Sequence, residues 1–404
     1  MKQLLKYILV VALCMVPLGV NAENSEIVND LAQDTVVNEK TDKWYKQLNK
    51  YDDVFDESVS DSLKTAMGKD YWKWAMLSGN YNSRDESIIY PGFVGFCVDV
   101  YNWADKTFNT FDSNYVVGTG KSWKLDLKSE NWLDSYYLNM PNGLKTGMSS
   151  NLKSNIGINI SLWGIGVGYA YNIDKLLGGE PLKQKKWDFQ FNCALFSLEA
   201  FYTRNTGATN LTRVGNFSYY NIFDADYRFS GLTLESYGAN LYYFVNNKKY
   251  SQSAAYSCSK FQKKSAGSMI AGISFSRHDV EIDFNKLPED KVPMIPEYMR
   301  KYHIKYNDYC VMVGYGYNWA INKNWLFNVT AIPCLGYNHS LNDSQIDNKN
   351  MISLDMIAKM ALVYNHNNFF YSVKGKLASY YFNGVRYNFF NSNKNVSFVV
   401  GYRF

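Results

Sequence analysis

An alternation of apolar and polar residues constrains this chain more than any other feature, because it recurs through residues 122–404. Within residues 151–161, for example, Ile156, Ile158 and Ile160 share one face of an extended strand, while lysine and asparagine occupy the other. A period of two places successive side chains on opposite faces of a strand. A strand with one lipid-like and one water-like face is typical of a membrane β-barrel. The repetition of such runs predicts an antiparallel up-and-down β-barrel.

Composition favours the same all-β architecture. After the N-terminal leader no segment approaches the roughly 20 consecutive apolar residues that a membrane helix requires. The chain contains 34 Tyr and 24 Phe, and several alternating runs end in an aromatic residue, as an interfacial girdle requires. The net charge of +5 is modest and comes without a basic run, so we expect no nucleic-acid partner. A soluble secreted β-protein is the alternative, but the scattered cysteines do not indicate a disulfide framework.

The N-terminus indicates export. Lys2 and Lys6 precede an apolar stretch over residues 8–20, and Ala22 ends a cleavage-site pattern, so residues 1–22 are predicted to be a signal peptide. Residues 23–115 are polar and partly helical in spacing, and we expect a periplasmic or plug region there. Residues 116–404 are predicted to form a barrel in the outer membrane of a Gram-negative bacterium, in contact with its lipids.

Connection lengths predict the orientation and the number of strands. Short polar connections at residues 322–324 and 365–368 alternate with longer ones such as residues 205–227 and 283–302. Outer-membrane barrels have short periplasmic turns and longer outer loops. With the N-terminal region and the C-terminus both periplasmic, the strand number is even; twelve is expected, and ten or fourteen remain open. Residues 246–267 do not fit this count, so we predict a periplasmic segment that packs against or into the barrel.

Charged residues within the strands are the candidate lumen-lining groups. A lysine on the lipid face near the midplane costs roughly 2 to 4 kcal/mol, so the lumen is their expected position. Two interpretations stay open: a selective polar channel, or mutually paired charges that fill a closed and rigid lumen. The candidates are Lys153, Asp188, Glu199, Asp355, Lys359, Lys374 and Lys376, with Lys128 as a further strand charge.

No catalytic constellation is evident. The run Arg277-His278-Asp279 is reminiscent of the His and Asp pairing of an outer-membrane protease, and His339-Ser340 of an esterase pair. Neither has an identifiable partner on another strand. No spacing of His, Cys, Asp or Glu resembles a metal site, so we predict no catalytic residue, no metal and no cofactor, and we identify no small-molecule ligand.

Five motifs carry a resemblance to a known family. They lie at residues 101–109, 115–121, 131–136, 243–251 and 262–268. Together they resemble a family of Bacteroidota outer-membrane proteins known as domain of unknown function 4421, and the resemblance extends from about Trp44 onward. It implies an outer-membrane barrel from a gut or oral bacterium, and it brings no substrate or catalytic residue.

The terminal strand predicts how the chain is inserted. Val396, Phe398, Val400, Tyr402 and Phe404 share one face, and the barrel assembly machinery typically reads such a strand with a C-terminal aromatic residue, by resemblance to other outer-membrane proteins.

The leading functional hypothesis is a non-enzymatic narrow channel, transporter or structural barrel. One alternative is a rim enzyme acting on lipid or peptide through His278 or His339. Another is a surface interaction or adhesion protein that binds through residues 205–227 and 283–302.

Overall fold

The computed structural model describes residues 67–77, 82–140, 143–162, 165–174, 184–216, 220–343, 350–383 and 387–404. The chain divides into two units, residues 1–50 and 51–404, and every described residue lies in the second. The expected signal peptide, residues 1–22, therefore lies outside the described residues. Among the described helices, none is long and apolar enough to cross a membrane.

Strands dominate the described residues, and three α-helices accompany them. The helices are α1 (Tyr71–Leu77), α2 (Gly92–Phe108) and α3 (Gln252–Tyr256). The strands are β1 (Val116–Gly118), β2 (Trp123–Asn139), β3 (Lys145–Ser149), β4 (Lys153–Leu162), β5 (Ile165–Asn172), β6 (Gln184–Asn192), β7 (Phe196–Asn205), β8 (Thr209–Asn216), β9 (Tyr220–Phe229), β10 (Leu232–Phe244), β11 (Lys260–Gln262), β12 (Ala266–Asp283), β13 (Lys301–Ala320), β14 (Trp325–Asp343), β15 (Asn350–His366), β16 (Phe369–Asn383) and β17 (Asn388–Arg403).

One antiparallel ladder contains twelve of these strands. Its order is β5, β4, β2, β17, β16, β15, β14, β13, β12, β10, β7, β6, and β3, β8 and β9 branch from β2. The last strand pairs with the first long one, and Lys186 of β6 reaches Glu130 of β2 at 2.7 Å, so the sheet curls round on itself. The expected all-β, up-and-down antiparallel barrel of about twelve strands is confirmed for the described residues.

The two faces of the sheet differ as the alternation predicts. On β13, Tyr309, Val311 and Val313 are exposed, whereas Cys310 and Met312 between them are buried. Exposed apolar side chains recur in the same way on the other long strands. The outward face is therefore apolar and rich in aromatic residues, as a lipid-facing surface requires.

The connections define two ends of the barrel, which we name the turn end and the loop end. At the turn end, residues 321–324 and 367–368 are short connections. At the loop end, the three 3₁₀ turns Phe284–Lys286, Val292–Met294 and Glu297–Met299 join β12 to β13, and the β3, β8 and β9 branch extends the sheet.

A large apolar cluster lies at the loop end, and we call it the cap. Its members come from the long strands, from the branch and from the turns of residues 284–299, and all are buried because they pack against one another. They are Tyr136, Leu138, Met140, Met148, Leu211, Val214, Phe229, Leu232, Leu234, Val280, Ile282, Phe284, Leu287, Ile295, Met299, Tyr302, Ile304, Tyr306, Phe382, Tyr387 and Phe389.

The region before the barrel contributes helices at the turn end. Pro91 precedes α2 and its fixed φ suits a helix start. One stripe of α2 is apolar and exposed, with Phe93, Phe96 and Trp103 at helical spacing. Phe108 at the end of α2 makes an edge-on ring contact with Phe196 of β7, at 5.6 Å between centroids.

Candidate functional site

Residues 246–265, which we call the plug, connect β10 to β12 and fill the turn end of the barrel. All five residues of α3 are buried. Tyr256 Oη donates a hydrogen bond to Asn328 Oδ1 at 2.7 Å, and Asn318 Nδ2 donates to Ser251 O at 2.9 Å. These asparagines lie on the inner face of β13 and β14. The segment that did not fit the strand count is therefore packed into the barrel.

The N-terminal region also touches the plug. Strand β1 pairs with β11 of the plug, and Lys263 N donates to Tyr115 O at 2.7 Å. The sequence leaves open whether residues 23–115 lie in the periplasm or plug the barrel. Among the described residues, the plug contacts the inner face of β13 and β14, and residues 112–118 contact the plug.

Local sequence explains why the plug forms a short helix. Ser251 precedes α3, and its side chain accepts a hydrogen bond from Ala254 N at 3.2 Å, which is the usual N-cap arrangement. Ser253, Ala254 and Ala255 are small enough to fit inside the barrel. Cys258 follows the helix with φ +54°, in the left-handed region that commonly ends a helix. The carbonyl groups of residues 256–258 are then left without helical partners.

Three cations of the barrel bind these three carbonyls, and we call this arrangement the latch. Lys374 Nζ donates to Tyr256 O at 2.6 Å, Lys124 Nζ to Ser257 O at 2.9 Å, and Arg403 Nε to Cys258 O at 3.0 Å. The cations come from the adjacent strands β16, β2 and β17. Because a helix C-terminus carries partial negative charge, positive side chains stabilise it, and charged donors make the stronger hydrogen bonds.

A second layer of contacts crosses the middle of the barrel. Glu199 of β7 accepts hydrogen bonds from Lys359 of β15 and from Lys376 of β16, the latter at 2.9 Å. Four strands separate β7 from β15 along the ladder, so these ion pairs span the interior. The ammonium of Lys359 also lies 4.6 Å from the ring centre of Tyr242.

A third group of charges lies near β2 and β6. Glu130 accepts hydrogen bonds from Lys186 at 2.7 Å and pairs with Lys128 at 2.8 Å. Lys186 also lies 3.2 Å from Asp188. Opposite charges on the inner face therefore pair with each other in small networks.

The structure separates the seven predicted residues into several groups. Glu199, Lys359 and Lys376 meet in the central layer, Lys374 belongs to the latch, and Asp188 pairs with Lys186. Asp355 lies elsewhere, beside Asp308, and Lys153 is half-buried opposite Trp132 in the ladder of β2 and β4.

His278 is buried between serines and tyrosine rings. Its Nδ1 lies 2.8 Å from Ser236 Oγ and its Nε2 lies 2.8 Å from Ser276 Oγ. Tyr306 and Tyr380 flank the imidazole, with centroids at 4.9 and 5.1 Å. Only 1% of the His278 surface is exposed, so no substrate reaches this ring in the observed conformation.

Neither histidine pair noted in the sequence forms. Asp279 points away from His278 and lies 2.9 Å from His303 Nε2. His339 Nδ1 lies 2.8 Å from an asparagine oxygen, whereas Ser340 points to the buried face. Neighbouring residues in a strand project to opposite faces, which is why adjacency in sequence does not produce contact here.

One buried cluster escaped the sequence analysis. Cys310 Sγ lies 2.8 Å from Asp308 Oδ2 and 3.3 Å from Asp355 Oδ2. Ser353 Oγ donates to Asp308 Oδ1 at 3.3 Å, and Tyr381 N donates to Asp355 Oδ1 at 2.8 Å. The sequence did contain one indication of this cluster: Asp308 and Cys310 are two residues apart and therefore share one face of a strand. A second group, on the loop-end parts of β12 and β13 and less buried, also brings possible ligand atoms together: Asp279, Glu281 and His303.

The fold and its interior define an antiparallel β-barrel with a membrane-type outer face and an internal plug. The chain belongs to the family described as Domain of unknown function (DUF4421), whose model matches residues 110–404. No curated protein matches it in sequence.

Several solved barrels are similar to the chain. The outer membrane protease OmpT from Escherichia coli is 10% identical, with 70% of this chain and 97% of that chain covered and a TM-score of 0.35. The translocator domain of autotransporter NalP from Neisseria meningitidis is 9% identical, with 77% and 96% covered and a TM-score of 0.27. The toluene transporter TodX of P. putida is 8% identical, with 70% and 90% covered and a TM-score of 0.20.

Proposed function

We propose that this protein is a structural barrel of the outer membrane whose lumen is sealed. The exposed aromatic and aliphatic belt supports contact with lipid. The short connections support a turn end that faces the periplasm, together with the N-terminal region and Phe404. Phe404 stacks on Trp123 at 6.4 Å, and the aromatic terminal strand supports recognition by the barrel assembly machinery.

The bridge from Glu199 to Lys359 and Lys376 is the observation that carries the sealed lumen. The side chains of Glu199 and Lys359 are 9% and 4% exposed. Desolvated charges of this kind are held only by good mutual geometry, and loss of one partner costs several kcal/mol, roughly 3 to 5. Because this bridge spans the interior and is costly to break, it holds opposite walls of the barrel together. The plug and the cap close the barrel on either side of it.

Ion conductance in planar lipid bilayers tests this proposal. The folded wild-type protein is compared with a variant whose plug, residues 246–265, is replaced by Asn-Gly; with residues 266–268 this pair forms a five-residue loop between the paired Val245 and Met269. Heat-modifiable migration in gels verifies that both proteins are folded. We expect no steady current from either protein, because the central bridge and the cap remain when the plug is removed.

Two results contradict the sealed structural barrel. Steady current through the wild-type protein would show that the lumen conducts in its observed state. Current through the plug-deleted variant alone would make the plug a gate, and the protein would then be a channel or transporter.

The packed structure of the loop end favours a second function, which is surface interaction. The cap buries Ile295 and Met299, yet Met294 and Tyr298 beside them are exposed. Large apolar side chains held outward on a packed support are typical of contact surfaces. Binding of the protein to a glycan array tests it. The hypothesis is supported if the wild-type protein binds glycans on the array and the double variant Met294→Ser, Tyr298→Ser does not. If the wild-type signal does not exceed that of an empty micelle, glycans are excluded as the binding partner.

A further inference from the structure

The Asp308, Cys310 and Asp355 cluster has the geometry of a small ligand set. One atom from each side chain lies within 4.8 Å of the others. Asp308 and Cys310 come from β13 and Asp355 from β15, so the cluster lies across the inner face of β14. The three residues are 2%, 5% and 6% exposed, and Met312 and Ile332 belong to the apolar cluster that contains Cys310.

A glycine of β14 makes room for this cluster. Gly336 is the ladder partner of both Cys310 and Ser353. A Cβ atom at position 336 would lie 2.1 Å from Ser353 Oγ, 2.8 Å from Asp308 Oδ1 and 3.0 Å from Cys310 Sγ. Any larger residue would push the ligand atoms apart, so the backbone of β14 forms a cradle beneath them.

Charge distinguishes these two carboxylates from Glu199, Glu130 and Asp126 on the inner face. Glu199 and Glu130 each pair with two lysines, and Asp126 lies 3.2 Å from Lys124. In the part of the chain that the structure describes, Asp308 and Asp355 have no lysine or arginine at ion-pair distance. Burying two carboxylates together is costly unless a proton or a cation neutralises them.

We propose that Asp308, Cys310 and Asp355 bind a divalent zinc ion. Two carboxylate oxygens and a thiolate suit zinc, whereas calcium and magnesium are bound through oxygen alone. On binding, the Cys310 thiol loses its proton to solvent, and the two positive charges of zinc offset the three negative charges of the ligands to a net charge of minus one. The site lies in the barrel wall, so it is independent of whether the lumen conducts.

Metal content after refolding tests the proposal. The full chain is refolded from urea into detergent micelles with Zn²⁺, with Co²⁺ or with EDTA, so that loading does not depend on entry into the finished barrel. Bound metal is measured by mass spectrometry, and cobalt–thiolate coordination by its charge-transfer absorption. The variants are Cys310→Ser and Asp355→Asn. The matched control is Cys193→Ser, a buried cysteine just before β7 whose Sγ contacts Phe196 O and which lies outside the cluster.

The wild-type protein and the control variant are expected to retain one zinc ion per chain and to show the cobalt–thiolate band. Cys310→Ser should lose that band, and Asp355→Asn should weaken zinc binding at least ten-fold. The proposal is overturned if the wild-type protein retains no more zinc than Asp355→Asn, or if Cys310→Ser keeps the band. Either result would leave a proton shared by the two carboxylates as the neutralising group.

Discussion

The cap at the loop end is an apolar cluster that contains buried side chains such as Phe284 and Phe382. The plug at the turn end is held differently, because its backbone carbonyls accept hydrogen bonds from Lys124, Lys374 and Arg403. The cap joins strands and loops through apolar contacts without fixed direction. The plug depends on a few directional bonds between one loop and three strands.

This difference predicts which of the two regions, cap or plug, contributes more to the stability of the whole barrel. Apolar burial contributes about 25 cal/mol per Å², and the cap involves most of the long strands. Each latch hydrogen bond has a charged donor and contributes a net of only about 1.5 to 3 kcal/mol, because the unfolded groups bond water instead. We therefore expect cap substitutions to destabilise the whole barrel, and latch substitutions to loosen the plug while the sheet remains folded.

The largest effect is expected from Phe382→Ala in the cap. Phe382 is fully buried, and its ring lies 4.7 Å from that of Tyr306. Truncation of a buried phenylalanine costs about 3 to 5 kcal/mol. Urea unfolding followed by tryptophan fluorescence should show this loss. The control is Met294→Ala, which removes an exposed side chain from the same end; equal losses in both variants would mean that the cap is not a core.

A smaller and local effect is expected from Arg403→Met in the latch. A hydrogen bond to a charged group is worth about 1.5 to 3 kcal/mol, and its loss should free the plug near the buried Cys258. In a Cys97→Ser background, which removes the exposed cysteine, maleimide should label Cys258 faster in this variant. The control is Arg204→Met, which breaks a half-exposed pair with Glu235. Unchanged labelling of Cys258 would contradict the latch.

The smallest effect is expected from Ser251→Ala at the start of α3. This change removes the N-cap hydrogen bond to Ala254 N, and such losses cost about 0.5 to 2 kcal/mol. Hydrogen exchange should accelerate at the amides of residues 252–258 and stay unchanged in the cap. Ser265→Ala, which removes an exposed hydroxyl from the plug and leaves the N-cap intact, is the matched control. Acceleration at both ends of the barrel would mean that plug and cap open together.

The barrel was predictable from sequence because period-two alternation is a local property of each strand. The plug was detectable only indirectly, as residues 246–267 that spoiled the strand count. The latch and the central bridge were harder to predict from the sequence, because they depend on which strands face each other across the interior. Lys359 and Glu199 were predicted to lie inside, yet nothing in the sequence pairs them.

The buried carboxylate cluster shows the same limit more sharply. Asp308 and Asp355 meet only through the register of β13, β14 and β15. A shift of one residue in either pairing would move one carboxylate to the outward face. A cluster of this kind leaves no characteristic spacing of ligand residues along the chain, so the sequence did not indicate it.

The pairing of β2 with β17 also predicts an order of events during folding. Lys124 lies directly opposite Arg403 in this pairing, so two of the three latch cations lie at the seam where the first long strand meets the last one. Joining such distant segments carries the entropy cost of a very long loop, which places the seam late in folding. We therefore expect the plug to acquire its full set of three anchors only when β2 and β17 pair, so that its immobilisation would report a completed barrel.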